Sequence, residues 1–194
     1  MTRSHIPVFY TLLAGLMAAL LSAPLRADIN VDFTANVLKD TCQIALNDGG
    51  MVNFATVAPA YFADGITAET DYPGGKEFTI KLLSCPVSDG AITNVTFDFV
   101  PKSGEFASGN QQVFTNERPQ SEGGAENVGV VIFTSGSPRT NVLNTDGTSR
   151  ATFQAPRYSN TNWTFYARMQ RVNNNEAVTP GELSSYVLVN VKYE

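Results

Sequence analysis

Histidine is almost missing from this chain of 194 residues: the one copy is His5, inside an apolar leader. A mature chain without that leader has no imidazole, which excludes Ser-His and Cys-His catalysis and any His-ligated metal site. Basic residues are also scarce, 13 Lys and Arg against 18 Asp and Glu. Residues 1–27 hold two of the basic residues, Arg3 and Arg26, and no acid, so their removal takes the net charge from −5 to −7. An acidic chain without a basic run is a poor binder of phosphate backbones, so no nucleic-acid partner is expected. Beyond the leader no run approaches the ~18 apolar residues of a membrane helix, so the chain is not expected to be an integral membrane protein. Helix-period patterns are rare too. No phosphate loop, GxGxxG or nucleophile motif occurs, and the acidic residues fall mostly in turns; no enzyme and no cofactor are expected.

What remains is a succession of short Val, Ile, Phe, Thr and Tyr runs separated by Gly, Asn, Pro and Ser, the composition of an all-β chain. The leader itself has a positive start at Arg3, an apolar run from Val8 to Leu21, and small residues with Pro24 before Ala27. That is the layout of a secretory signal peptide over residues 1–27, cut after Ala27, with Ala23 and Arg26 as alternative sites. Export places Cys42 and Cys85, the two cysteines, in an oxidising compartment, where a disulfide is the default and contributes about 4 kcal/mol in the chain-entropy model.

Residues 28–40 alternate. Ile29, Val31, Phe33, Ala35 and Val37 are apolar, and Asn30, Asp32, Thr34 and Asn36 between them are polar. This is a strand with one dry face. Periodicity leaves two homes for that face: the chain's own sandwich, or another molecule. Further strands are expected over Val52 to Val57, Lys76 to Cys85, Val95 to Phe99, Val128 to Phe133, Trp163 to Gln170 and Ser184 to Glu194, with short pieces around Val113, Val142 and Ala151. Asn47-Asp48-Gly49-Gly50 is a strong turn. Residues 59–75 read as a surface connection whose Tyr61, Phe62 and Tyr72 cover a sheet edge or meet a partner. The spacing of strands suggests one Ig-like sandwich over residues 41–194.

The arm before Cys42, the Phe78-x-Ile80-x-Leu82-x-x-Cys85 stretch, Phe165-Tyr166-Ala167-Arg168, and Thr179-Pro180-Gly181-Glu182 followed by a strand with penultimate Tyr193 occur together and in order. In this the mature chain resembles the pilins of chaperone–usher fimbriae, especially the adaptor and minor pilins of type 1-like fimbriae. The resemblance implies an incomplete Ig-like β-sandwich lacking its last strand, with an N-terminal donor-strand extension. It implies a structural subunit that polymerises by donor-strand exchange and contributes to adhesion, exported through the periplasm to a cell-surface fimbrium. Its partners would be neighbouring pilins, a periplasmic chaperone and an outer-membrane usher. In that mode of β-augmentation, the chaperone's strand fills the open groove first and the next subunit's arm replaces it.

Carried onto this sequence, Ile29, Val31, Phe33, Ala35 and Val37 form the pocket-filling face of the donor arm, with roughly 6–12 kcal/mol of gross apolar burial. Val187, Val189, Val191 and Tyr193 line the acceptor groove, and the carboxylate of Glu194 meets basic chaperone residues. Ala35 stands where related arms often carry Gly. Three expectations follow. Residues 29–37 stay out of the chain's own core, and finding them inside it, with no trench beside the last strand, would remove the fibre reading. The isolated subunit is unstable or aggregates. Replacing Phe33 with Asp blocks incorporation without unfolding the subunit. The rival reading is a carbohydrate-binding tip adhesin, with Trp163 or the Tyr61, Phe62, Tyr72 cluster stacking on sugar.

Overall fold

The computed structural model describes residues 30–36, 43–84, 93–154 and 161–193. The leader, both cysteines, Ile29, Val37 and Glu194 lie outside them. So do the side chains of Ala35 and Tyr193, whose backbones are in strands. Eleven strands are described: β1 (Asn30–Asn36), β2 (Gln43–Leu46), β3 (Met51–Asn53), β4 (Lys76–Ser84), β5 (Asn94–Pro101), β6 (Phe106–Ala107), β7 (Asn110–Thr115), β8 (Val128–Thr134), β9 (Ala151–Gln154), β10 (Asn162–Arg171) and β11 (Ser184–Tyr193). They form two sheets, β3-β1-β11-β5-β9 and β2-β4-β10-β8-β7-β6.

Between the sheets the alternating residues meet. Phe97 and Phe99 of β5 pack edge-on to Phe165 of β10, which stacks on Phe78 of β4. Aromatic pairs in these geometries add to the burial of their area. Trp163 is 7% exposed and packs edge-on to Phe97, so it is a core residue and offers no platform to a sugar. Gln43 of β2 pairs with Ser84 of β4. These are the neighbours in sequence of Cys42 and Cys85, the residues of the expected disulfide, which lie outside the described residues.

Strands β8 and β10 are buried on both faces, which alternation alone does not announce. Their outer faces lie beneath residues 59–75, a connection that crosses the sheet as a strap. Val131, Phe133, Tyr166, Val113, Ala107 and Ala68 make a second apolar cluster there, apart from the main core. The strap's carbonyls are met by side chains from the sheet. Arg168 Nη2 donates to Thr67 O and Thr70 O, each at 2.8 Å, and Gln170 Nε2 donates to Ile66 O at 3.0 Å. Tyr166 donates its hydroxyl to Tyr72 O at 2.8 Å and accepts from Gly75 N at 2.7 Å. A Cβ on Gly75 would stand 2.1 Å from Ala167 O, so only glycine lets the strap return to the sheet here. Phe62 and Tyr72 each pack edge-on to Tyr61, and all three are half-buried. Burial of the Tyr61 phenol, more than the opposing field of Arg168, pushes its pKa up to about 12.

At the strap's edge Arg139 donates through its backbone N–H and Nη1 to the two carboxylate oxygens of Asp71, and its guanidinium lies 4.1 Å from the ring centre of Tyr166. Those hydrogen bonds hold the Asp71 carboxyl below its ordinary range. A carboxyl with a depressed native pKa adds stability at pH values above its ordinary value of ~4, and the contribution vanishes as pH falls through the native value. The strap is therefore expected to loosen in acid. Proteolytic nicking within residues 63–72 should rise below pH ~4, and Asp71→Asn should bring that susceptibility to neutral pH.

Candidate functional site: the strand slot beside β11

The slot lies between β11 and β3, and β1 fills it. Asn30 to Asn36 run parallel to Ser184 to Asn190, with Val31 opposite Ser185, Phe33 opposite Val187 and Ala35 opposite Val189. On its other edge β1 is antiparallel to β3, with Val31 opposite Val52. Val31 is fully buried and Phe33 is 5% exposed, while Asp32 and Thr34 face water. Phe33 stacks on Phe78 with ring centres 4.5 Å apart, which continues the aromatic row across the sandwich.

The expectation that the arm stays out of the chain's own core is therefore not met over its described residues. Nor does an open trench flank them. The physical reason is tethering. An unpaired strand edge and an exposed apolar trough are costly, and an arm on the same chain is present at millimolar effective concentration. The expected instability of the isolated subunit is revised with it, since a filled slot exposes neither the edge nor the trough. So is the expected folding neutrality of Phe33→Asp, because Phe33 is part of the core.

The acceptor residues divide. Val187 and Val189 are fully buried beside the arm, and Val191 is half-buried at the core's margin. Tyr193 pairs through its backbone with Val95. Gly50 closes the Asn47–Gly50 turn with φ +83, and a Cβ on it would stand 2.5 Å from Phe33 O. This turn lets a strand backbone lie close in the slot. Sequence reasoning missed Ser185, which shares the inward parity of Val187 and Val189. Its side chain is buried and its Oγ has no hydrogen-bond partner.

A cavity of about 460 Å3 opens at the Asn30 end of the slot, and Val57, Pro59, Phe62, Met169, Val178 and Leu183 supply its apolar lining. Leu183 precedes Ser184, which faces Asn30, and Val57 follows β3, whose Asn53 also faces Asn30. The cavity thus prolongs the slot past the described start of the arm.

The fimbrial protein family model matches residues 31–194, from the arm to the last strand. The chain belongs to the fimbrial protein family. This fimbrial chain is also 37% identical over 180 residues to the uncharacterized fimbrial-like protein YadK of Escherichia coli strain K12, covering 90% of this chain and 89% of that one. Among solved structures, the CupB6 tip adhesin from Pseudomonas aeruginosa aligns at 11% identity with a TM-score of 0.45, over 85% of this chain and 41% of the adhesin. Family membership makes the chain a structural subunit of a cell-surface fimbrium, a role that implies association with other pilins and the chaperone–usher system, so an arm seated at home does not remove the fibre reading, contrary to the expectation from the sequence. Among the described residues no helix is long and apolar enough to cross a membrane.

Proposed function

We propose that this fimbrial subunit polymerises by donor-strand exchange: its arm leaves its own slot and enters that of a neighbour, and its slot takes another subunit's arm. The observation that carries this reading is the parallel pairing of β1 with β11. Among the described residues it is the one parallel pair of named strands, and parallel ladders are slightly weaker per residue than antiparallel ones. The seated arm is thus a removable element, and the groove it leaves has the hydrogen-bonding edge and alternate pockets that β-augmentation requires. The cavity beyond Asn30 gives an incoming apolar side chain a place to dock before the seated arm is displaced.

On export through the periplasm, the chaperone would hold the slot open with its own strand, and the usher would receive the complex. Val31 and Phe33 would fill pockets of the neighbour, with Ile29, Ala35 and Val37 on the same face by alternation. Val187, Val189, Val191 and Tyr193 would line the acceptor, with Glu194 at its end. Family membership and the burial of Trp163 favour this structural role over a sugar-binding tip.

The test is uptake of a labelled peptide of residues 28–40 by the purified full chain, warmed toward its unfolding transition to loosen the seated arm. One peptide bound per chain after cooling is expected. Absence of uptake at every temperature short of unfolding would refute exchange.

A further inference from the structure

The side chains that floor the slot along β11 are Leu183 just before it, then Ser185, Val187 and Val189. Three are apolar. The fourth carries a hydroxyl that is 1% exposed and unpaired, and its facing residue on the arm is Val31. Adjacent strands lie about 4.8 Å apart, within reach of a bond between two short polar side chains, but valine has nothing to give. A buried hydroxyl without a partner disfavours the state that contains it.

Re-seating the same arm does not cure this. The residues that share the alternation of Val31 and Phe33, namely Ile29, Ala35 and Val37, are apolar as well. A slip by two residues, or reversal of the strand, sets another of them against Ser185. A slip by one sets Asn30 or Asp32 against Ser185 but turns the whole apolar row out to water. The mismatch is therefore the same whether the arm is the chain's own or that of a second copy.

We infer that this slot is matched to the arm of a different fimbrial subunit, one that carries a hydroxyl or carboxamide on its otherwise apolar inward face, opposite Ser185. The inference rests on the exchange reading above and extends it. The neighbour that donates its arm to this chain is not a copy of it, which makes the chain a junction in the fibre rather than its repeating unit.

The experiment uses six labelled peptides of residues 28–40: the unsubstituted arm and single Ile29→Thr, Val31→Thr, Phe33→Thr, Ala35→Thr and Val37→Thr variants. Their uptake is measured on the full chain and on its Ser185→Ala variant. Thr for an inward apolar residue normally weakens binding. On the unaltered chain one of the five, Val31→Thr in the register seen here, is expected to half-saturate at a concentration roughly fivefold lower than the unsubstituted arm. On Ser185→Ala that order reverses, while uptake of the unsubstituted arm changes little, because the seated arm it displaces gains equally. If all five bind more weakly than the unsubstituted arm on both chains, the inference is overturned.

A second measurement needs no exchange. Thermal unfolding of the full chain carrying Val31→Thr, Ser185→Ala or both forms a double-mutant cycle. Favourable coupling between the hydroxyls supports the inference, and additive effects overturn it. If no peptide enters the slot while the cycle shows coupling, the exchange reading fails and the mismatch at Ser185 stands.

Discussion

Replacing Phe33 with Asp is expected to lower the unfolding midpoint of the isolated full chain by about 10 °C or more, as well as to stop it donating its arm. Phe33 is 5% exposed and stacks on Phe78, which stacks in turn on Phe165. Truncation of a buried Phe costs ~3–5 kcal/mol, and in a domain of this size each kcal/mol moves the midpoint by about 2–4 °C. Aspartate adds a carboxylate that cannot stay charged among aromatic rings, so the arm leaves the slot instead. The vacated slot then exposes Val187, Val189 and a bare edge of β11, and the variant should bind a hydrophobic dye and aggregate. Adding the unsubstituted arm peptide in trans should restore the midpoint. That restoration separates an emptied slot from a damaged fold. A Phe33→Asp chain that melts with the unaltered one would mean that the arm is not seated in the free protein.

The alternation of residues 29–37 marks a half-dry strand and says nothing of which molecule dries it; the two homes for that face were indistinguishable in the sequence for this reason. The family resemblance implied that the arm serves a neighbour. The structure of the chain alone places it at home, because an open slot is a poor final state when a matching strand is tethered beside it. Both can hold if the slot has two competing occupants, and an incoming arm that ran antiparallel to β11 would have the slightly stronger ladder.

Other parts were legible where one face of a strand was dry and one wet. The Phe78, Ile80, Leu82 row and the Trp163, Phe165, Ala167, Met169 row both lie in the core. Periodicity failed where both faces are dry. Tyr166, Arg168 and Gln170 occupy the polar phase of β10, and nothing local reveals that a strap 100 residues earlier in the chain closes over them. Ser185 was passed over for the opposite reason. It has the right parity, but a serine at the head of a valine row reads as the strand's start rather than as a floor position.

Arg168 carries the second large expected effect. It is fully buried, and none of its hydrogen-bond acceptors is an acid. Nη1 donates to Met169 O at 3.1 Å and Gln170 Oε1 at 2.6 Å, Nη2 to the two strap carbonyls, and the guanidinium lies 5.2 Å from the ring centre of Phe133. Burial pulls its pKa down from the ordinary value, yet a guanidinium stays protonated at neutral pH, so carbonyl dipoles hold a full charge here. Arg168→Ala removes the cation, orphans the strap's Thr70 carbonyl and the Gln170 Oε1, and leaves the Thr67 carbonyl with the Thr70 N–H alone. At ~1–3 kcal/mol for each buried group left unpaired, the loss is expected to reach about 3 kcal/mol or more in urea unfolding. Arg168→Lys keeps the charge but loses the planar fork that spans both carbonyls, and should recover only part of that loss. Amide exchange within residues 63–72 should quicken in both variants while β5 and β11 keep their protection, since the strap rests on the outer face of the other sheet. The strap also contributes Pro59 and Phe62 to the cavity at the slot's open end, so its loosening should reach the arm. Arg168→Ala is thus expected to change the uptake rate of the 28–40 peptide as well as the stability. An Ala variant with unaltered stability would show that the strap is held by its peripheral ion pairs instead, of which Arg171 to Asp64 and Arg150 to Glu69 are the nearest substitutes.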